Sequence, residues 1–81
     1  MSQKAKLLAA MKANSRGDWS IADVQSVCAM HGINCRAPSR GSHFTLSHPD
    51  IAGHLTVPSR RPIKAVYIRL LIDMVESLEG L

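Results

Sequence analysis

Aromatic side chains are nearly missing from this chain, with one Phe, one Trp and one Tyr in 81 residues. A core must therefore be built from Leu, Ile, Val, Met and Ala. A sheet that stacks bases on a row of aromatics, as RRM domains do, is disfavoured for the same reason. Long apolar runs are also lacking. None approaches the roughly 20 residues that span a bilayer, so no membrane association is expected. Leu7 to Met11 is too short for the apolar stretch of a secretory signal, and Lys12 interrupts it. Cysteine is limited to Cys28 and Cys35. Without a signal segment, the expectation is a cytoplasmic protein with reduced, buried thiols. Walker loops, dinucleotide fingerprints and Cys/His/Asn or Ser/His/Asp arrangements are missing, as are repeats and low-complexity segments. Acid is scarce where base is dense. Between Arg36 and Arg69 the cations are Arg36, Arg40, Arg60, Arg61, Lys64 and Arg69, and only Asp50 opposes them.

What is present describes one small domain. A hydrophobic share of 46% suits an ordinary globular chain rather than a disordered one. The formal net charge is +4, and Asp73, Glu76 and Glu79 gather near the C-terminal end, so the middle is more basic than the average. Such a field suits a polyanion, although small basic domains also meet acidic proteins.

The pattern predicts helix, helix, three-strand meander, helix: an α+β domain. A first helix is expected over residues 2–13, with Leu7, Leu8 and Met11 on one side. A second is expected over 20–31, with Ser20 as N-cap, Asp23 completing a capping box, and Gly32 as its stop. Strands follow over 33–37, 42–47 and 54–57. Their alternation places Phe44, Leu46, Leu55 and Val57 inside, which requires Phe44 not to pair with Thr56. The open face is then Asn34, Arg36, His43, Thr45, Ser47, His54 and Thr56. A last helix is expected over 63–78, with Pro62 near its first position and a broad apolar stripe that includes Val66, Tyr67 and Leu70.

Chemistry is most concentrated in Arg40-Gly41-Ser42-His43-Phe44-Thr45-Leu46. Gly41 and Ser42 predict a tight turn that brings backbone and a hydroxyl near a ligand, with His43 projecting from the open face. An imidazole exchanges protons near neutrality, and a basic field around it suits work on a phosphodiester. Arg60, Arg61 and Lys64 crowd the start of the last helix, where free N–H groups and the dipole already favour an anion. The competing reading is a merely solvated charged surface. Arg36 and Arg40 could reach the same phosphate backbone. His48 and His54 flank the hairpin loop and read as solvated turn residues, although His54 could sit near the site and protonate a leaving group there, and His31 reads as a favourable group at a helix C-terminus. Cys28 and His31 have a Cys-x-x-His spacing, but no second close pair completes a zinc motif.

Several runs together resemble HicA-type toxins of bacterial toxin–antitoxin pairs. They are Lys6-Leu7-Leu8-Ala9-Ala10-Met11, Trp19-Ser20-Ile21-Ala22-Asp23-Val24, Gly41-Ser42-His43, Ser47-His48-Pro49, Thr56-Val57-Pro58 and Pro62-Ile63-Lys64. The most specific part is Gly-Ser-His followed about a dozen residues later by Thr-Val-Pro. The resemblance implies a double-stranded-RNA-binding-domain-like fold, with a three-stranded antiparallel sheet and helices packed on one face. It further implies a metal-independent, cofactor-free endoribonuclease that cleaves mRNA and blocks translation. The family's catalytic histidine maps onto His43; the residues' own charge and placement, not the resemblance, make Arg36, Arg40, Ser42, Arg60, Arg61 and Lys64 the candidates for RNA contact. A HicB-type antitoxin would cover a toxin that is monomeric alone. Many members carry a further histidine two positions after the Thr-Val-Pro proline, and here Arg60 stands there. The N-terminal helix is also longer than in the smallest members. The alternative from another class is a non-catalytic RNA-binding module that grips a duplex by shape.

Overall fold

The computed structural model describes residues 3–80. Three helices and three strands run in the order α1 (Gln3–Ala13), α2 (Ile21–Met30), β1 (Asn34–Arg36), β2 (His43–Ser47), β3 (Leu55–Pro58) and α3 (Ala65–Glu79). The class is therefore α+β, as the pattern predicted. Ser2, the expected first residue of α1, lies outside the described residues. Leu8 and Met11 bury the inner side of α1, while Leu7 is only half-covered.

The ends of α2 follow from local chemistry. Ser20 adopts an extended N-cap, its hydroxyl accepts from the Asp23 N–H at 3.3 Å, and the Asp23 carboxylate accepts from the Ser20 N–H at 2.9 Å. Two otherwise orphaned donors are thereby satisfied. At the other end Gly32 takes a φ of +66°, a conformation that disfavours any side chain. The Ile33 N–H then reaches back to the Cys28 carbonyl at 2.9 Å. Ile33 is thereby tied to α2, and β1 is shorter than the expected 33–37 at both ends, stopping at Arg36, directly before Ala37-Pro38, at the other.

The meander is antiparallel with β2 central. Phe44 pairs with Val57, Leu46 with Leu55 and with Cys35, and Thr45 with Thr56. The register required by the hydrophobic alternation is the one found. Leu46 and Val57 are fully buried, whereas Phe44 and Leu55 are only half-buried. β3 extends to Pro58, which an edge strand tolerates because its missing N–H interrupts no ladder on the outer side.

Helix α3 begins at Ala65 rather than at 63. Ile63 is used otherwise: its side chain is buried in the core and its N–H donates to the Trp19 carbonyl at 2.8 Å, joining the α3 approach to the α2 entrance. Pro62 consequently lies before the helix, and Lys64 is the N-cap. Ile68, Leu71, Met74 and Val75 carry the buried stripe. Val66 and Leu70, expected on that stripe, remain 50% and 43% exposed. The core occupies the space between the helices and one face of the sheet, where Val24, Val27 and Cys28 meet Leu46, Val57, Ile68 and Leu71. No helix among the described residues is long and apolar enough to cross a membrane.

Candidate functional site

β1 leaves the sheet, β2 enters it and β3 leaves it at the same end. Arg36, His43 and Pro58 are therefore neighbours in space although 22 residues separate the first from the last in the chain. Register makes the arrangement definite. Arg36 pairs with Thr45, and His43 pairs with Pro58. Residues of one parity share a face, so Arg36, His43, Thr45, Thr56 and Pro58 stand together on the side away from the helices. Arg36, His43 and Thr56 are exposed there.

The chain before His43 bends through residues 39–42 rather than closing a hydrogen-bonded turn. Gly41 has a φ of +79° and open space where a Cβ would project. The Ser42 carbonyl accepts the Ser59 N–H at 2.7 Å, which fastens the start of β2 to the residue preceding Arg60. The Ser42 side chain is exposed beside His43. Two open grooves are lined in part by residues that neighbour His43 in the sheet, while His43 itself is in the lining of neither. One, of about 460 Å³, is lined by Arg36, Ala37, Pro38, Ser39, Arg40 and Thr45. The other, of about 400 Å³, is lined by Pro58, Arg60, Arg61, Pro62, Lys64 and Tyr67. His43 is linked to the first by Thr45, two residues along its own strand (about 7 Å). It is linked to the second by its cross-strand partner Pro58, about 5 Å away between backbones.

The cations are not equivalent. Arg61 donates Nε to one Asp18 oxygen at 2.9 Å and a terminal nitrogen to the other at 3.0 Å. Those hydrogen bonds, with the attraction of the same carboxylate, raise the guanidinium pKa further. Arg61 is thus one half of a two-bonded, solvent-exposed ion pair, where the sequence presented it as a free cation. Arg36, Arg40, Arg60 and Lys64 are exposed and have no carboxylate within salt-bridge distance among the described residues. Among the described residues no side chain caps α3, so the N–H groups of Ala65 and Val66 have no side-chain partner next to the N-cap Lys64.

The other histidines lie elsewhere. His48 is not a solvated turn residue: its side chain is 15% exposed, and Nδ1 accepts the Asp50 N–H at 3.0 Å. His54 precedes β3 at the far end of the sheet, about 13 Å along the strand from Pro58. It faces a separate groove with Leu70, Asp73 and Met74. His31 caps α2 through its backbone, and its Nε2 is buried without a partner among the described residues. Cys28 is buried against Cys35; burial, then the neighbouring thiol, pushes its pKa up to about 12, so it is a protonated core residue. No three His, Cys, Asp or Glu side chains converge to hold a metal ion among the described residues.

Tyr67 was read from the sequence as part of the core stripe. It is half-buried, packs against the core, and also forms a wall of the groove next to His43. The available signal was its singularity, a phenol in the first turn of an otherwise aliphatic helix face. Compared with protein-family models, with curated proteins and with solved structures, the chain matches none.

Proposed function

We propose that this protein is a HicA-type toxin, an endoribonuclease that cleaves mRNA with His43 as its single general acid and base. The observation that carries the reading is an exposed histidine whose neighbours in the sheet, Thr45 and Pro58, each line a groove, the two grooves together holding four cations without a carboxylate partner among the described residues. The Gly41-Ser42-His43 and Thr56-Val57-Pro58 runs support it, because β2–β3 pairing brings them side by side. The order α2-β1-β2-β3-α3 supports a double-stranded-RNA-binding-domain-like fold.

In this mechanism His43 removes the proton of a ribose 2′-hydroxyl, and that oxygen attacks the adjacent phosphorus in line. The P–O5′ bond breaks, and the imidazolium returns its proton to the departing 5′-oxygen. Arg60 and Lys64 on one side, and Arg36 and Arg40 on the other, hold the strand and stabilise charge on the phosphorane. His54 has no part, given its position at the far end of the sheet. A HicB-type antitoxin silences the toxin by covering His43 and meeting the free cations with carboxylates. The test is cleavage of RNA by the purified protein in EDTA. The reading expects 5′-hydroxyl and 2′,3′-cyclic phosphate ends, and no cleavage of a strand made of 2′-deoxyribose. Cleavage that requires a metal, or that ignores the 2′-hydroxyl, would overturn it.

A further inference from the structure

The two grooves beside His43 differ in kind. The Arg36–Arg40 groove has no aromatic wall: Ala37, Pro38, Ser39 and Thr45 line it together with the two arginines. The other combines apolar and charged walls: Pro58, Pro62 and Tyr67 line it together with Arg60, Lys64 and the Asp18-paired Arg61. Its volume of about 400 Å³ falls within the range of small-ligand clefts, roughly 300–1,000 Å³. Tyr67 is the chain's one tyrosine, and its ring is held by packing against the core rather than free to turn into solvent. A fixed aromatic beside two prolines, with two unpaired cations in the same lining, matches one flat heterocycle attached to phosphates.

We infer that the Tyr67 groove is a subsite for one unpaired nucleobase next to the scissile phosphate, which makes the substrate single-stranded RNA rather than duplex. The inference rests on the ribonuclease reading and deepens it. Two neighbouring contacts decide the strand geometry. His43 addresses the ribose and phosphate, and its cross-strand partner Pro58 begins the wall of the base cleft. A base in a duplex is stacked and paired, so its face cannot meet Tyr67 without leaving the helix. Flipping it costs unstacking energy that a single strand does not. Arg36 and Arg40 then hold phosphates on the far side of His43 without reading bases. Sequence preference is accordingly modest and set by stacking strength at one position.

The experiment uses His43→Ala protein, so that binding is measured without cleavage. Its probes are a fluorescent single-stranded RNA, an abasic ribose-phosphate strand of equal length and charge, and a fully paired RNA duplex. The inference expects the abasic strand to bind roughly 5- to 160-fold more weakly than the RNA, the range given by loss of one stacked base. The salt dependence of the two should match, since their phosphates are the same. Tyr67→Phe should keep the difference, and Tyr67→Leu, which still fills the core, should abolish it. Equal binding of RNA and abasic strand, or duplex binding at least as tight as single-strand binding, would overturn the base subsite. If the wild-type protein still cleaves RNA in that case, the ribonuclease reading survives alone. If no strand binds and none is cleaved, both fail.

Discussion

Removing the positive charges of Arg60 and Lys64 together is the perturbation whose size the structure sets most directly. The sequence presents three cations at the entrance of α3, but Arg61 is held by Asp18 at 2.9 and 3.0 Å and is already compensated. Four free cations therefore remain near His43: Arg36, Arg40, Arg60 and Lys64. On a single strand each neutralised phosphate contributes about 0.7 to the slope of log affinity against log salt, so the intact protein should show about −2.8. Affinity should then fall about 50-fold between about 50 and about 200 mM salt. In the Arg60→Ala/Lys64→Ala protein the slope should be about −1.4 and the loss over the same range about 7-fold. Adding Arg61→Ala should change the slope no further. Fluorescence anisotropy with labelled RNA over a salt series measures all three values, in the His43→Ala background to prevent cleavage. A double variant with the parental slope would refute the phosphate-contact reasoning. A further large change on removing Arg61 would show that its pairing with Asp18 gives way to RNA.

Three other outcomes follow from the same structure. Ser20→Ala removes the hydroxyl half of the capping box and should cost about 1 kcal/mol, a fall of about 4–8 °C in the melting temperature; an unchanged transition would mean that the cap contributes nothing. Cys28 keeps its proton to about pH 12 when folded, against an ordinary thiol value of 9.0. The folded state thus binds a proton that the unfolded state releases, so stability should decline as pH rises from about 9 toward 12, and Cys28→Ala should flatten that decline in alkaline denaturation curves. An antitoxin that covers His43 and the free cations should compete with RNA, and a ternary complex with RNA seated at His43 would contradict direct masking.

The alternation of Phe44, Leu46, Leu55 and Val57 made the sheet register legible, because any one-residue slip turns a whole strand outward. The capping box of Ser20 and Asp23 and the stop at Gly32 were legible for a similar reason: their partners lie three or four residues away. The start of α3 was not, since Ile63 serves the core and the Trp19 carbonyl, and both come from distant parts of the chain. Arg61 shows the same limit, with its partner 43 residues away. The exposure of His43 on the open face was legible from strand parity, which is local. The place of Tyr67 in a groove was not, because its aliphatic neighbours put it on a core face and its groove partners Pro58 and Arg60 come from the preceding strand and connection. The separation of His54 from His43 likewise depends on the hairpin register rather than on composition.

The central claim is that His43 performs proton transfer in RNA cleavage, and one comparison tests it most directly. Wild-type and His43→Ala proteins are incubated with RNA in EDTA, and circular dichroism and thermal unfolding of both are recorded alongside. His43 is exposed on the open face and contributes little to packing, so the variant should fold and melt like the wild type. The account predicts cleavage by the wild type and none by the variant. Undiminished cleavage by a folded His43→Ala protein would contradict it.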